Sequence, residues 1–248
     1  MMIAALFRPI FGLCKKLAGV VLWLLSIVAI VVFLRLFIFE PCNVPSGSME
    51  NAIMTGDWWV INKLAYGGRL PRRIGDIPIV NGLTWIRSVR EKDALRHWKY
   101  NRVPGYSPIR RFDVVVFQQN DPSAPALVKR VIAMPGDTLR IEEGRVFING
   151  KFQPDPTSVQ PNLPDQNGVV DFPNRDLNWT WRNYGPLVIP EANYFVMGDC
   201  RGNSIDSRMW GFVPEANILG RMSFSLFSVD PSKKGFSAIR TDRFFKFM

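Results

Sequence analysis

Three places in this chain hold residues able to do covalent chemistry without a cofactor. The first is Pro45-Ser46-Gly47-Ser48-Met49, where Ser48 stands nine residues past Phe39, the end of a long apolar run. A serine hydroxyl is a weak nucleophile near neutral pH and needs a neighbouring base, most often histidine. The chain has one histidine, His97, in a charged stretch, so a Ser-His-Asp arrangement exists only if His97 is that base. Lys129 is the other candidate. Of ten lysines it stands out inside an apolar run, Ala126-Leu127-Val128-Lys129-Arg130-Val131-Ile132-Ala133-Met134. Burial disfavours an ammonium and lowers the lysine pKa, and a neutral amine can take a serine proton. The third place is the polar loop Gly198 to Pro214, in which Ser204 can orient the amine and Asp206 with Arg208 can form an ion pair that fixes the loop. Each place also has a plainer reading: a Pro-Ser-Gly turn, a strand-end lysine that snorkels, a solvated loop.

The elements that must position these residues are legible in the hydropathy pattern. Leu17 to Leu34 carries no charge and the apolar character resumes after Arg35 through Phe39. As a helix over 17–39 it reaches roughly 34 Å, enough to span a bilayer. No small-x-small cleavage pattern follows, so the run reads as an uncleaved anchor. Arg8, Lys15 and Lys16 precede it with no acidic residue in 1–16, which places that N-terminal stretch in the cytoplasm and 40–248 across the membrane. Beyond Glu40 short β-type runs alternate with Gly, Pro, Asn and Asp: Trp58 to Asn62, Asp113 to Phe117, Leu127 to Ala133, Thr138 to Ile141, Arg145 to Ile148 and Tyr194 to Met197. Asn149-Gly150 is a hairpin signal and Pro135-Gly136-Asp137 a tight turn. The expectation is a mainly antiparallel β protein on one transmembrane helix, with two excursions, a basic, aromatic insert over 64–111 and a Pro-, Asn- and Asp-rich stretch over 150–190.

Composition narrows the chemistry. With 31 Lys and Arg against 21 Asp and Glu, 47% hydrophobic and 21% charged residues, wholesale disorder and a polytopic membrane protein are excluded. From Lys63 to Arg111 twelve Lys or Arg face three acidic residues, which accounts for nine of the chain's ten net positive charges. Tyr66, Trp85, Trp98, Tyr100 and Tyr106 lie among them, a mixture suited to a lipid headgroup layer. Nucleic acid fits the same composition, but the anchor's orientation puts the insert on the wrong side of the membrane for it. One histidine, no CxxC pair and no phosphate-binding loop lead us to expect no metal and no cofactor. Cys42 and Cys200 both fall in the far compartment near the chemical boxes, and a bridge between them is left open.

Taken together, the anchor followed by PSGSM, RRFDVVVF, KRVIAMPGD and GDCRGNSIDSRMWGFVP resembles the type I (bacterial) signal peptidases, membrane-bound serine proteases with a Ser-Lys dyad, from the anchor to about Pro214. The resemblance implies a β fold of the signal-peptidase and LexA-like type, Ser48 as nucleophile, Lys129 as general base, and Ser46 with the backbone N–H of Ser48 as oxyanion donors. It implies Ser204 positioning Lys129, and Asp206 with Arg208 bracing the loop. The implied substrates are exported preproteins, bound as an added strand and cut after small residues at the first and third positions before the scissile bond. The chain departs from the family pattern at Asn51, usually Pro, at Phe112, usually Gly, and at Cys200 and Gly202, usually Asn and Asp. Two other readings use the same residues. A self-cleaving regulator of the LexA type shares the dyad, but the anchor and the last loop argue against it. An inactive membrane-tethered binding module is opposed by the intact Ser48 and Lys129.

Overall fold

The computed structural model describes residues 2–95, 98–119, 124–159 and 179–248. His97, Arg96 and the middle of the second excursion lie outside these. The described residues pack as two units, one of Met1–Ile38 with Leu70–Lys99, the other of Phe39–Arg69 with Tyr100–Met248.

In the first unit, α1 runs from Met2 to Phe37, and its stretch Lys16–Phe37 is long and apolar enough to cross a membrane, with none of that window buried. The helix stops two residues short of the expected Phe39. Pro41 restricts Glu40 to extended geometry, and pairing with the next strand captures Phe39 onward. The insert contributes α2, Arg87–Leu95, preceded by single turns at Ile74–Asp76 and Val80–Trp85.

The second unit is built on two antiparallel sheets. Its strands are β1 (Phe39–Asn43), β2 (Asp57–Asn62), β3 (Val114–Phe117), β4 (Leu127–Ala133), β5 (Thr138–Glu142), β6 (Arg145–Ile148), β7 (Lys151–Phe152), β8 (Tyr184–Val188), β9 (Asn193–Met197), β10 (Val213–Pro214) and β11 (Ile218–Ser228), with a short helix α3 at Ser207–Trp210. The seven-stranded sheet has the order β1-β2-β11-β3-β4-β9-β10 and the smaller one β7-β6-β5-β8. Every residue of the continuous apolar strand Val114–Phe117 is buried, so β3 is covered on both faces, whereas β5 and β6 alternate, with Leu139, Ile141, Val146 and Ile148 turned inward. Asn149 and Gly150 both take positive φ and turn β6 into β7, and Gly136, at φ 81°, turns β4 toward β5.

Packing divides the apolar interior into three clusters. One, beside the large sheet, joins Val44, Met49, Ile53, Trp59 and Ile61 to Val114, Val116 and Met222. This cluster fixes the chain on either side of Ser48. A second holds Val115, Phe117, Val131 and Val196, and a third unites the small sheet with Phe195 and Met197.

Candidate active site

Ser48 lies in a single tight turn, Gly47–Met49, separated by three residues from the end of β1. The buried Met49 next to it anchors that turn in the first apolar cluster. Lys129 sits two residues into β4, paired with Val115 of β3. Though 81 residues apart in sequence, the two meet: Lys129 Nζ is 2.5 Å from Ser48 Oγ, with both residues under one-tenth exposed. Burial pushes the Lys129 amine below its ordinary range and Arg208 adds to this, while Asp206 and Asp199 pull it partly back. Ser46 Oγ is 3.4 Å from Ser48 Oγ.

The loop after β9 closes the site from behind. Asp206 is fully buried and grips Arg208 with both oxygens: Arg208 Nε donates to Oδ1 and Nη2 to Oδ2, each at 2.9 Å. The N–H of Gly198 also donates to Asp206, at 3.0 Å. Burial alone would raise this carboxyl, but Arg208 and these hydrogen bonds outweigh it and hold it below the usual carboxylate range. Arg208 Nη2 further donates to the carbonyl of Arg201, and the guanidinium lies over the Trp181 ring. The expected ion pair therefore exists and crosslinks the loop. Ser204 is placed differently from the expectation. Its Oγ is buried and meets hydrogen-bond geometry with neither Lys129 nor any other described group, although it still favours the ionised form of Asp206.

Several supporting contacts have no signature in sequence. The N–H of Cys200 donates to the carbonyl of Ser48, tying the loop to the serine turn. Gly198 runs so close that a Cβ there would overlap Ser204 Oγ and the Ser48 carbonyl. Arg130, the neighbour of Lys129, makes a two-pronged bond to Asp199, and Ser158 from the second excursion joins them. Asp155 from that excursion pairs with Arg201. The side-chain partners of Arg130 are 28 and 69 residues away, so no local pattern announces them.

The open question of a Cys42–Cys200 bridge is answered against it: both are free thiols. Cys42 turns its sulfur to the Asn43 carbonyl, and Cys200 is committed to the loop behind Ser48. Burial raises both thiols, with Glu40 beside the first and Glu50 beside the second adding to it. The departures from the family pattern acquire a geometry. Phe112 takes φ 70°, the backbone region a glycine favours, and Asn51 takes φ 81°, which no proline can adopt, so the turn after Met49 is built in its own way. Among the described residues no group of three or more His, Cys, Asp or Glu could hold a metal ion.

An antiparallel β body that seats a buried serine hydroxyl against a desolvated amine is an arrangement able to do serine hydrolase chemistry. Comparison with known proteins makes the class specific. The model of the family "Signal peptidase, peptidase S26" matches residues 17–227, and the chain belongs to that family. It is 30% identical to a signal peptidase I of Haemophilus influenzae, covering 90% of this chain and 73% of the relative, and 31% identical to one of Pseudomonas aeruginosa, covering 83% and 70%. A probable signal peptidase I-2 of Synechocystis is 30% identical over 80% of this chain and 67% of the relative. A crystal structure of a signal peptidase I from Enterococcus faecalis is 28% identical and covers 46% of this chain and 97% of that one, with a TM-score of 0.36. The chain is a serine endopeptidase of the signal peptidase I type, carried on one N-terminal apolar helix.

Proposed function

We propose that Ser48 is the nucleophile and Lys129 the general base of this peptidase. The carrying observation is the 2.5 Å approach of Lys129 Nζ to Ser48 Oγ in a buried setting that depresses the amine's pKa. The neutral amine accepts the hydroxyl proton as Ser48 Oγ attacks the scissile carbonyl, and the resulting ammonium returns it to the leaving amine. Water then hydrolyses the acyl-enzyme by the same proton path. Ser46 Oγ and the Ser48 N–H serve the oxyanion as charge develops. Asp206 and Arg208 brace the loop behind the site, and Ser204, buried in that loop, is the residue the family pattern assigns to positioning Lys129.

In this reading α1 is the membrane anchor, with the basic stretch before it in the cytoplasm and the sheets on the far side. The substrates are exported preproteins, laid as an extended strand beside the turn at Ser48 and cut after small residues at the first and third positions before the bond. Cleavage of a purified preprotein in detergent by wild type and not by Ser48→Ala is the expected result. Cleavage by both removes the mechanism, and cleavage by neither favours a tethered binding module.

A further inference from the structure

The basic insert leaves the sheet at a particular end. The last residue of β2, Asn62, pairs with Phe39, two residues after the end of α1, and Lys63 Nζ lies 2.9 Å from Glu40 Oε2. On the return, β3 opens beside the same level, since Val115 pairs with Arg221 and Arg221 with Asn62. Both stalks of the insert thus spring from the end of the sheet at which the chain arrives from α1.

The insert's described core is folded, not a loose ribbon. Buried Asp93 of α2 accepts the N–H groups of Ile74 and Gly75, at 2.7 and 2.9 Å. Asp76 accepts the N–H of Arg72 and the Nε of Arg73, and the N–H of Trp98 donates to the Arg72 carbonyl. What this clasp presents outward is apolar: Trp85 is 94% exposed, and Ile79 and Ile86 are each 55% exposed. Immediately beyond, Arg87, Arg90 and Lys92 stand exposed on α2, where the described ion pair, Arg87 with Glu91, is a surface one.

We propose that this tip, Ile79, Trp85 and Ile86 with Arg87, Arg90 and Lys92, seats in the headgroup layer of an anionic bilayer and gives the enzyme a second membrane contact beside its helix. This inference rests on the reading of α1 as the anchor. The indole and the two branched side chains enter the interface, and the cations meet lipid phosphates. A single helix leaves the catalytic unit free to swivel. A second contact adds an attachment point to the one the helix supplies.

The test uses the full chain in vesicles whose phosphatidylglycerol and phosphatidylcholine carry brominated acyl chains, with Trp85→Phe and Trp23→Phe isolating each indole by difference. Trp85 fluorescence should be quenched by bromolipid and protected from acrylamide. Its bromolipid quenching should fall at least twofold in vesicles without phosphatidylglycerol, and equally in the triple variant Arg87→Gln, Arg90→Gln, Lys92→Gln. If Trp23 is quenched by bromolipid while Trp85 answers only to acrylamide, the insert contact is overturned and the anchor stands. If neither indole is quenched, the anchor reading falls and the insert contact with it. Equal quenching of Trp85 with and without anionic lipid overturns the role given to the three cations.

Discussion

Ser48 and Lys129 meet through a 2.5 Å approach between side chains from opposite halves of one sheet, the serine following β1 and the lysine inside β4. Because the amine is desolvated, its proton affinity belongs to the fold and not to lysine as such.

Lys129→Arg should abolish turnover, since a guanidinium stays charged at every working pH. For the wild type, the rise of kcat/KM with pH should have its midpoint well below the ordinary lysine value of 10.5. An ascending limb found only near that value would show a solvated amine. The same shift acts on stability. Between the lowered folded value and 10.5 the unfolded chain binds a proton that the folded one does not, so stability rises with pH in that window. Lys129→Met should flatten that slope in denaturant titrations run at several pH values.

Asp206→Asn should cost about 3–5 kcal/mol, because it leaves Arg208 buried without its counter-charge. Urea unfolding at neutral pH measures this. The sign with pH is opposite to that of Lys129. A carboxyl held below 3.8 when folded stabilises fully above 3.8, and that contribution is lost as pH falls through the folded value. The variant should therefore lose little further stability in acid where the wild type loses much. Equal acid slopes in the two proteins contradict the assignment.

Ser46→Ala should lower kcat by roughly a hundredfold or more with KM little changed, the signature of a donor that acts on developing charge, worth about 2.7–4 kcal/mol. Unchanged kcat moves the oxyanion role to other donors.

Gly198→Ala should fold but lose about a hundredfold in kcat. The added methyl has no room between Ser204 Oγ and the Ser48 carbonyl, so the serine turn must shift, and a displacement near 1 Å is enough for that loss. Full activity in this variant would mean that the turn yields without moving Ser48 Oγ.

How much of this was legible beforehand follows from the range of each signal. The apolar anchor, the alternating β5–β6 hairpin with its Asn149-Gly150 turn, and a lysine set among valines and isoleucines are local patterns, readable within a window of a dozen residues. β11 was not read as a strand. Its register shifts against β2, between Met222 and Phe224 and between Ser225 and Phe227, break the two-residue period that marks a strand. β1 was hidden behind the apolar run that feeds it, with Pro41 tolerated because β1 lies at the sheet edge. Long-range charge pairs left no trace at all. Arg243 reaches back 186 residues to the buried Asp57, and Asp155 crosses to Arg201, and nothing in either neighbourhood announces its partner. The resemblance placed Ser204 on the amine, whereas its Oγ meets no hydrogen-bond partner among the described residues.

The strand order also sets a timetable. β11 lies between β2 and β3, so the half bearing Ser48 and the half bearing Lys129 share a sheet only through residues 218–228. During synthesis both halves emerge well before that strand does. Each can form its own hairpin, β1 with β2 and β3 with β4, yet sheet pairing between the two halves waits for the late strand. Such non-local closure is slow. The geometry proposed for Ser48 and Lys129 is thereby a late product of folding, complete only once residues 218–228 pair on both sides.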